Sequence, residues 1–325
     1  MKKILLSMIV ITAAFLSPGC KDEDFSPKGD FKEKYILNCV LKSDTTVQTL
    51  TLSSSYNVDG YDPLANRTDP ALRGADVRVW VGDSVYIFRE AEESRSDTSR
   101  YSTPIRYYYA KNFRPQANKP AEILAVLPNG RKLHAATSIP LPVYVNFAEI
   151  DSIIPIDGRS YFRAVWNTNS GQNTYYYPRP SLVYFKFENG IPIRHVRYLP
   201  ERYILSGGKF VPVYPSPTLN LVCTVELDAL NRVMEEISAG DPNKKNYVVL
   251  SVIFEVWTLD MSLSGYYSSC KLADDGFSVK LDQTDFTNVE GGLGIFGSCV
   301  SYQFPMRLDK NYISSFGYKT KLGAE

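Results

Sequence analysis

The sequence predicts a mainly β protein: an N-terminal β-sandwich of immunoglobulin-like or prealbumin-like kind, followed by a second β-rich domain with one amphipathic helix. Three observations lead there. Short runs rich in Thr, Val, Ile and Tyr recur along the chain, and several alternate apolar with polar residues, the pattern of a half-buried strand. Turn residues separate these runs at close intervals, which favours sheets packed face to face. Only residues 225–238 repeat their apolar side chains at three and four, the spacing of a helix with one buried face.

In chain order, Lys2 and Lys3 precede a mostly apolar run over residues 4–16, and Ser17, Pro18 and Gly19 lead into Cys20. A charged start, an apolar stretch and small residues read as a signal peptide over residues 1–19, because roughly 13 residues are too few to span a hydrocarbon core of about 30 Å. The Gly19-Cys20 junction resembles the lipobox of bacterial lipoproteins, which implies that Cys20 carries the fatty acyl chains anchoring the protein in outer-membrane lipid. Lys21, Asp22, Glu23 and Asp24 follow at once. This acidic run resembles the signal that moves some Gram-negative lipoproteins to the cell exterior; otherwise, a short charged run of this kind is a solvated linker. Residues 20–34 are polar, contain Pro27 and Gly29, and read as a lipidated tether.

Residues 35–41 and 45–53 read as a strand pair. Residues 56–73 are turn-rich, with Gly60, Pro63 and Pro70. Residues 75–81 alternate strictly, and Gly82-Asp83 turns them into a second strand over 84–89. Residues 90–100 are charged and read as a loop. Strands follow at 107–109 and 121–127, and Pro128, Asn129, Gly130 and Arg131 form a hairpin turn into 132–137. The first domain is thus expected over residues 35–139. Pro140 and Pro142, at alternate positions, make a stiff extended link. The second domain is expected over residues 140–325, with strands at 143–150, 161–167, 182–188 and 248–258. The last of these is almost continuously apolar, which suits a central strand covered on both faces. In residues 225–238, Leu227, Leu230, Val233, Met234 and Ile237 form a stripe suited to core packing, and Gly240 with Pro242 ends the helix.

Composition narrows the functional classes. The chain has 325 residues, which favours two domains over one, and 44% hydrophobic content supports a sizeable core. Lys and Arg total 36 against 35 for Asp and Glu. This balance provides no net attraction for nucleic acid. His134 and His195 lie far apart, and no cysteines stand at C-x-x-C spacing, so neither a metal nor a cofactor is expected. Beyond Cys20, the cysteines are Cys39, Cys223, Cys270 and Cys299. Four cysteines allow three pairings that sequence does not separate; Cys270 with Cys299 is the favoured one, and buried free thiols are the alternative.

Near the C-terminus, Asn288 is followed after two residues by Gly291-Gly292-Leu293-Gly294-Ile295-Phe296-Gly297. This run resembles the end of an uncharacterised lipoprotein family, the domain of unknown function 4249. The likeness extends more loosely through the lipidated start, Gly74-Ala75-Asp76-Val77, Thr137-Ser138-Ile139-Pro140 and Tyr266-Tyr267. Genes of that family commonly stand beside those for TonB-dependent outer-membrane receptors, so the resemblance implies an accessory role in uptake with such a receptor as partner. Read for itself, the run contains G-x-G-x-x-G at Gly292, Gly294 and Gly297. A dinucleotide site would need a helix after these glycines, but residues 298–304 read as a strand. Glycines this close together suit tight approach of one backbone to another, with Leu293, Ile295 and Phe296 filling the core.

No nucleophile elbow, H-E-x-x-H or paired Cys/His context is present, so the chain is read as non-enzymatic. Its 23 tyrosines are the stronger functional signal. Tyr offers both a stacking face and a hydroxyl, and clusters beside Pro, Arg and Asn suit glycan, peptide or protein recognition. Of Tyr107-Tyr108-Tyr109, Tyr175-Tyr176-Tyr177 and Tyr266-Tyr267, the second is the favoured ligand site. Pro178 and Pro180 follow it and favour an irregular loop, and Arg179 adds donors. Two classes of function stay open: a surface lipoprotein that captures a ligand or docks on a TonB-dependent receptor, and a surface hydrolase acting on glycan or peptide. The second would need two carboxylates, drawn from Asp274, Asp275, Asp282 and Asp285, roughly 5 to 10 Å apart.

Overall fold

The computed structural model describes residues 31–58, 62–146, 153–169, 173–272 and 286–321. Strands dominate, as the alternating runs predicted. The first half supplies β1 (Tyr35–Lys42), β2 (Gln48–Ser54), β3 (Asp76–Val81), β4 (Ser84–Glu93), β5 (Ile105–Ala110), β6 (Pro120–Val126) and β7 (Lys132–Ser138). Inward residues at every second position, such as Leu37, Cys39 and Leu41 of β1 and Val77, Val79 and Val81 of β3, make its core. β4 runs on past the expected strand end because it changes partners. Its first residues pair with β3 up to Phe88, and Arg89 through Glu93 pair with β5. The charges that suggested a loop lie on the outer side, where Glu92 meets Arg73 and Arg106.

The second half contains β8 (Ile153–Ile154), β9 (Tyr161–Val165), β10 (Tyr176–Glu188), β11 (Ile191–Tyr198), β12 (Arg202–Ser206), β13 (Lys209–Val213), β14 (Val222–Glu226), β15 (Tyr247–Leu259) and β16 (Leu293–Leu308). The main sheet runs β11-β10-β15-β16-β1-β2-β5-β4-β3-β6-β7, with β8 beside β16, while β12-β13 and β9-β14 are separate pairs. The strand expected at 143–150 is reduced, in its described part, to one bridge between Tyr144 and Asn167. β15 is central as predicted, but only one of its faces is sealed. Val252, Phe254 and Val256 are fully buried, while Ile253, Glu255 and Trp257 are half-buried.

Among the described residues there are three α-helices: α1 (Leu227–Glu236), α2 (Met261–Leu272) and α3 (Lys310–Ser315). The predicted helix is α1, and it packs Ala229, Leu230, Val233 and Met234 into the second core. The sequence reading missed the other two. In α2 the repeat at three and four after Leu263 is carried by Tyr266, Tyr267 and Cys270 and is interrupted by Gly265 and serines, so the usual signal is weak.

Residues 34–325 form one compact unit with two main hydrophobic clusters. Ile139 belongs to the first and Val143 to the second, on either side of the Pro140–Pro142 link. β16 serves both. It runs parallel to β1 from Leu293 to Cys299 and antiparallel to β15 from Cys299 to Arg307. Phe296 and Val300 enter the first cluster, and Phe304, Met306 and Leu308 enter the second. Full burial of the Phe296 side chain contributes roughly 2–3 kcal/mol.

Candidate functional site

The favoured tyrosine cluster lies at the start of β10, not in a loop. The Tyr176 N–H donates to the Thr218 carbonyl at 2.7 Å and the Thr218 N–H returns the bond at 2.8 Å. Five residues on, Ser181 pairs with Tyr198 of β11, and the Leu199 N–H donates to the Pro180 carbonyl at 2.9 Å. Between these points β10 is paired with β15 on one side only. The Tyr176 N–H points to the open side, so the two-residue period aims the nitrogens of Pro178 and Pro180 the same way. Proline has no N–H to leave unsatisfied. The two prolines therefore sit where the strand has no partner, and they continue it where the sequence reading had them break it.

The gap is a cleft of about 450 Å³. Tyr177, Tyr198 and Tyr214 line it, together with Pro178, Pro180, Pro215, Arg179 and Arg197. Strand alternation divides the predicted ligand set. Tyr177 and Arg179, two apart, both line the cleft, whereas Tyr176 turns into the core, its ring edge-on to Trp166 at 6.1 Å. Tyr175 is also buried, in a small cluster with Leu259, Leu263 and Cys299. Tyr198 and Tyr214 were missed. The signal for the first was Asn189-Gly190, a two-residue turn with positive φ at both positions that joins β10 to β11.

Arg179 is held on three sides. Its guanidinium lies 4.8 Å from the Tyr198 ring centre and 4.9 Å from that of Trp257. It donates to the Tyr198 hydroxyl and pairs with Glu255 at 3.3 Å. The other Glu255 oxygen accepts from the Gln303 amide at 3.0 Å. A cation between two ring faces, with a matched carboxylate, is a rigid platform. Arg197 pairs with Glu236 at 3.1 Å, and Glu236 also accepts from the Tyr203 hydroxyl at 3.2 Å. Burial, with the Glu236 charge second, pushes the Tyr203 phenol up to about 12.

The glycine run enters β16 against two other backbones. A Cβ at Gly291 would collide with the Lys132 carbonyl, at Gly292 with that of Tyr35, and at Gly294 with that of Leu37; at Gly297 it would stand 2.7 Å from Leu263 of α2. The Asn288 amide braces the run, donating to the Phe296 carbonyl at 2.7 Å and accepting from its N–H at 2.9 Å. Cys39, Cys223 and Cys299 are buried free thiols. The expected bond from Cys299 to Cys270 is therefore not made, and the Cys270 side chain lies outside the described residues. Burial pushes the Cys299 thiol up to about 12. Cys20, Lys21, Asp22, Glu23 and Asp24 also lie outside the described residues, as do Asp274, Asp275, Asp282 and Asp285. Tyr266 and Tyr267, one of the tyrosine clusters offered for recognition, stack edge-on within α2 at 5.4 Å.

Together these features define a mainly β protein with an aromatic cleft where its large sheet lacks a partner strand. The chain belongs to the family described as domain of unknown function DUF4249, which matches residues 22–304. This is the family to which the glycine run pointed. Comparison with curated proteins finds no match. Among the described residues, no helix is long and apolar enough to cross a membrane.

Proposed function

We propose that this protein is a non-enzymatic, lipid-anchored lipoprotein of the outer membrane, facing the cell exterior, that captures a ligand for a TonB-dependent receptor. The cleft carries this reading. Its volume of about 450 Å³ falls in the usual range for small-ligand sites, and its lining of ring faces with a few fixed polar groups is the usual composition. The charged start, the Gly19-Cys20 junction and the acidic run after it support the anchor and the outward orientation. Resemblance to a family whose genes neighbour those of TonB-dependent receptors supports the partner. The hydrolase reading gains nothing from the cleft, because none of its lining residues is a carboxylate.

The test is affinity recovery of the tagged full chain from outer membranes solubilised in mild detergent. A β-barrel receptor is expected to co-elute. Recovery of the protein alone, from cells grown under several nutrient regimes, would overturn the accessory role.

A further inference from the structure

We infer that the cleft between β10, β11 and the segment after β13 takes a neutral carbohydrate; the inference rests on the capture reading and names its ligand class. The charges in the lining are already matched. Arg179 is committed to Glu255 at 3.3 Å, with side chains only 23% and 12% exposed, and to the Tyr198 hydroxyl. Arg197 faces Glu236 at 3.1 Å. An anionic ligand at Arg179 would compete with Glu255, and separating that covered pair leaves Glu255 without its cation; the Arg197–Glu236 pair is more exposed but carries no net charge.

Beyond these pairs, the exposed part of the lining is mainly ring surface. Tyr198 is 48% exposed and Tyr214 45% exposed, and Tyr177 is half-buried, while Pro178, Pro180 and Pro215 are buried. A pyranose ring presents C–H faces to such walls and hydroxyls to the phenols at their rims, which matches amphipathic tyrosines better than a charged or wholly apolar ligand does. The same prolines weigh against an extended peptide. Adding a strand requires alternating donors and acceptors from the wall, and Pro178 and Pro180 remove both donors that β10 would offer. The Arg179 stack explains how the wall stays in place when empty: Tyr198 is fixed by its hydrogen bond and by the guanidinium face beneath it.

Titration calorimetry on the full chain in detergent provides the test. Maltohexaose, cellohexaose and xylohexaose serve as neutral probes, a polygalacturonate oligomer as the acidic one, and a proline-rich peptide as the peptide. At least one neutral hexasaccharide is expected to bind with an affinity indifferent to added salt. Tyr214→Ala is expected to weaken that binding roughly tenfold while Tyr214→Phe retains it, as loss and retention of a stacking face predict. Because Tyr214 is partly exposed, unchanged melting curves check that both variants fold. Preference for the acidic oligomer with steep salt dependence, or for the peptide, overturns the carbohydrate class but leaves capture standing if Tyr214→Ala still weakens it. Failure of every probe, or binding indifferent to Tyr214→Ala, overturns both.

Discussion

Gly294 has φ +109°, a region closed to side chains, and the space a Cβ would need is taken by the Leu37 carbonyl. Gly294→Ala is therefore expected to destabilise the protein by roughly 3 kcal/mol or more, read as a fall in the denaturation midpoint. A variant as stable as the parent would show that β1 and β16 approach less closely. At this scale the sequence was partly legible. Spacing alone marked the glycines as a site of close approach, because few other uses of clustered glycine fit a following strand. The tyrosine cluster was harder to read. Pro178 and Pro180 carry the same local signal whether they break a strand or sit on its unpaired side, and only the bridge from Tyr176 to Thr218 shows which side is open. The alternation that sends Tyr176 inward and Tyr177 outward follows once β10 is known to begin at Tyr176.

Among the elements, α2 shows why some structure was not legible. Only a weak stripe of tyrosines after Leu263 announces it; its start is set by Asp260, the residue after β15. One Asp260 oxygen accepts from the Leu263 N–H at 2.7 Å, and the other accepts from the Ser298 N–H at 2.6 Å and from the Thr137 hydroxyl. Three distant segments thus share one buried carboxylate. Burial raises its pKa, opposed by the Leu263 N–H and the Thr137 and Ser298 donors. Asp260→Asn replaces one accepting oxygen with an NH₂ that faces a donor. A loss of about 2–3 kcal/mol is expected, with slowed-exchange protection of the α2 amides reduced more than that of β3. Equal protection in both elements would count against a capping role. Hairpin β10-β11, by contrast, carried a local signal in Asn189-Gly190 that the sequence reading did not use, and Tyr198 was missed with it.

Across the whole molecule, the strand path of the first half returns to where it began. The His134 N–H donates to the Glu290 carbonyl at 3.1 Å and the Glu290 N–H returns the bond at 2.7 Å, joining β7 to the chain that enters β16. The imidazole bridges two carboxylates, Glu122 at 2.8 Å and Glu290 at 3.3 Å. The hydrogen bond to Glu122, and then that to Glu290, raises the His134 pKa above 6.5. A raised folded-state pKa means that the charged form is favoured on folding. Its stabilisation is full below pH 6.5 and is lost as pH rises through the higher folded value. The site is partly exposed, so the effect is expected to be under about 1 kcal/mol. Melting temperature against pH should fall across this window in the parent and flatten in His134→Gln; identical slopes would remove His134 from the account.

The double duty of β16 governs the order of events when the chain is made. β1 leaves the ribosome well before its parallel neighbour, so that Asn38 meets Ile295 across a sequence separation of 257. Until then the N-terminal half holds a naked edge open to any passing strand. Such late, long-distance closure slows folding, and it ties completion of the first half to the arrival of β16.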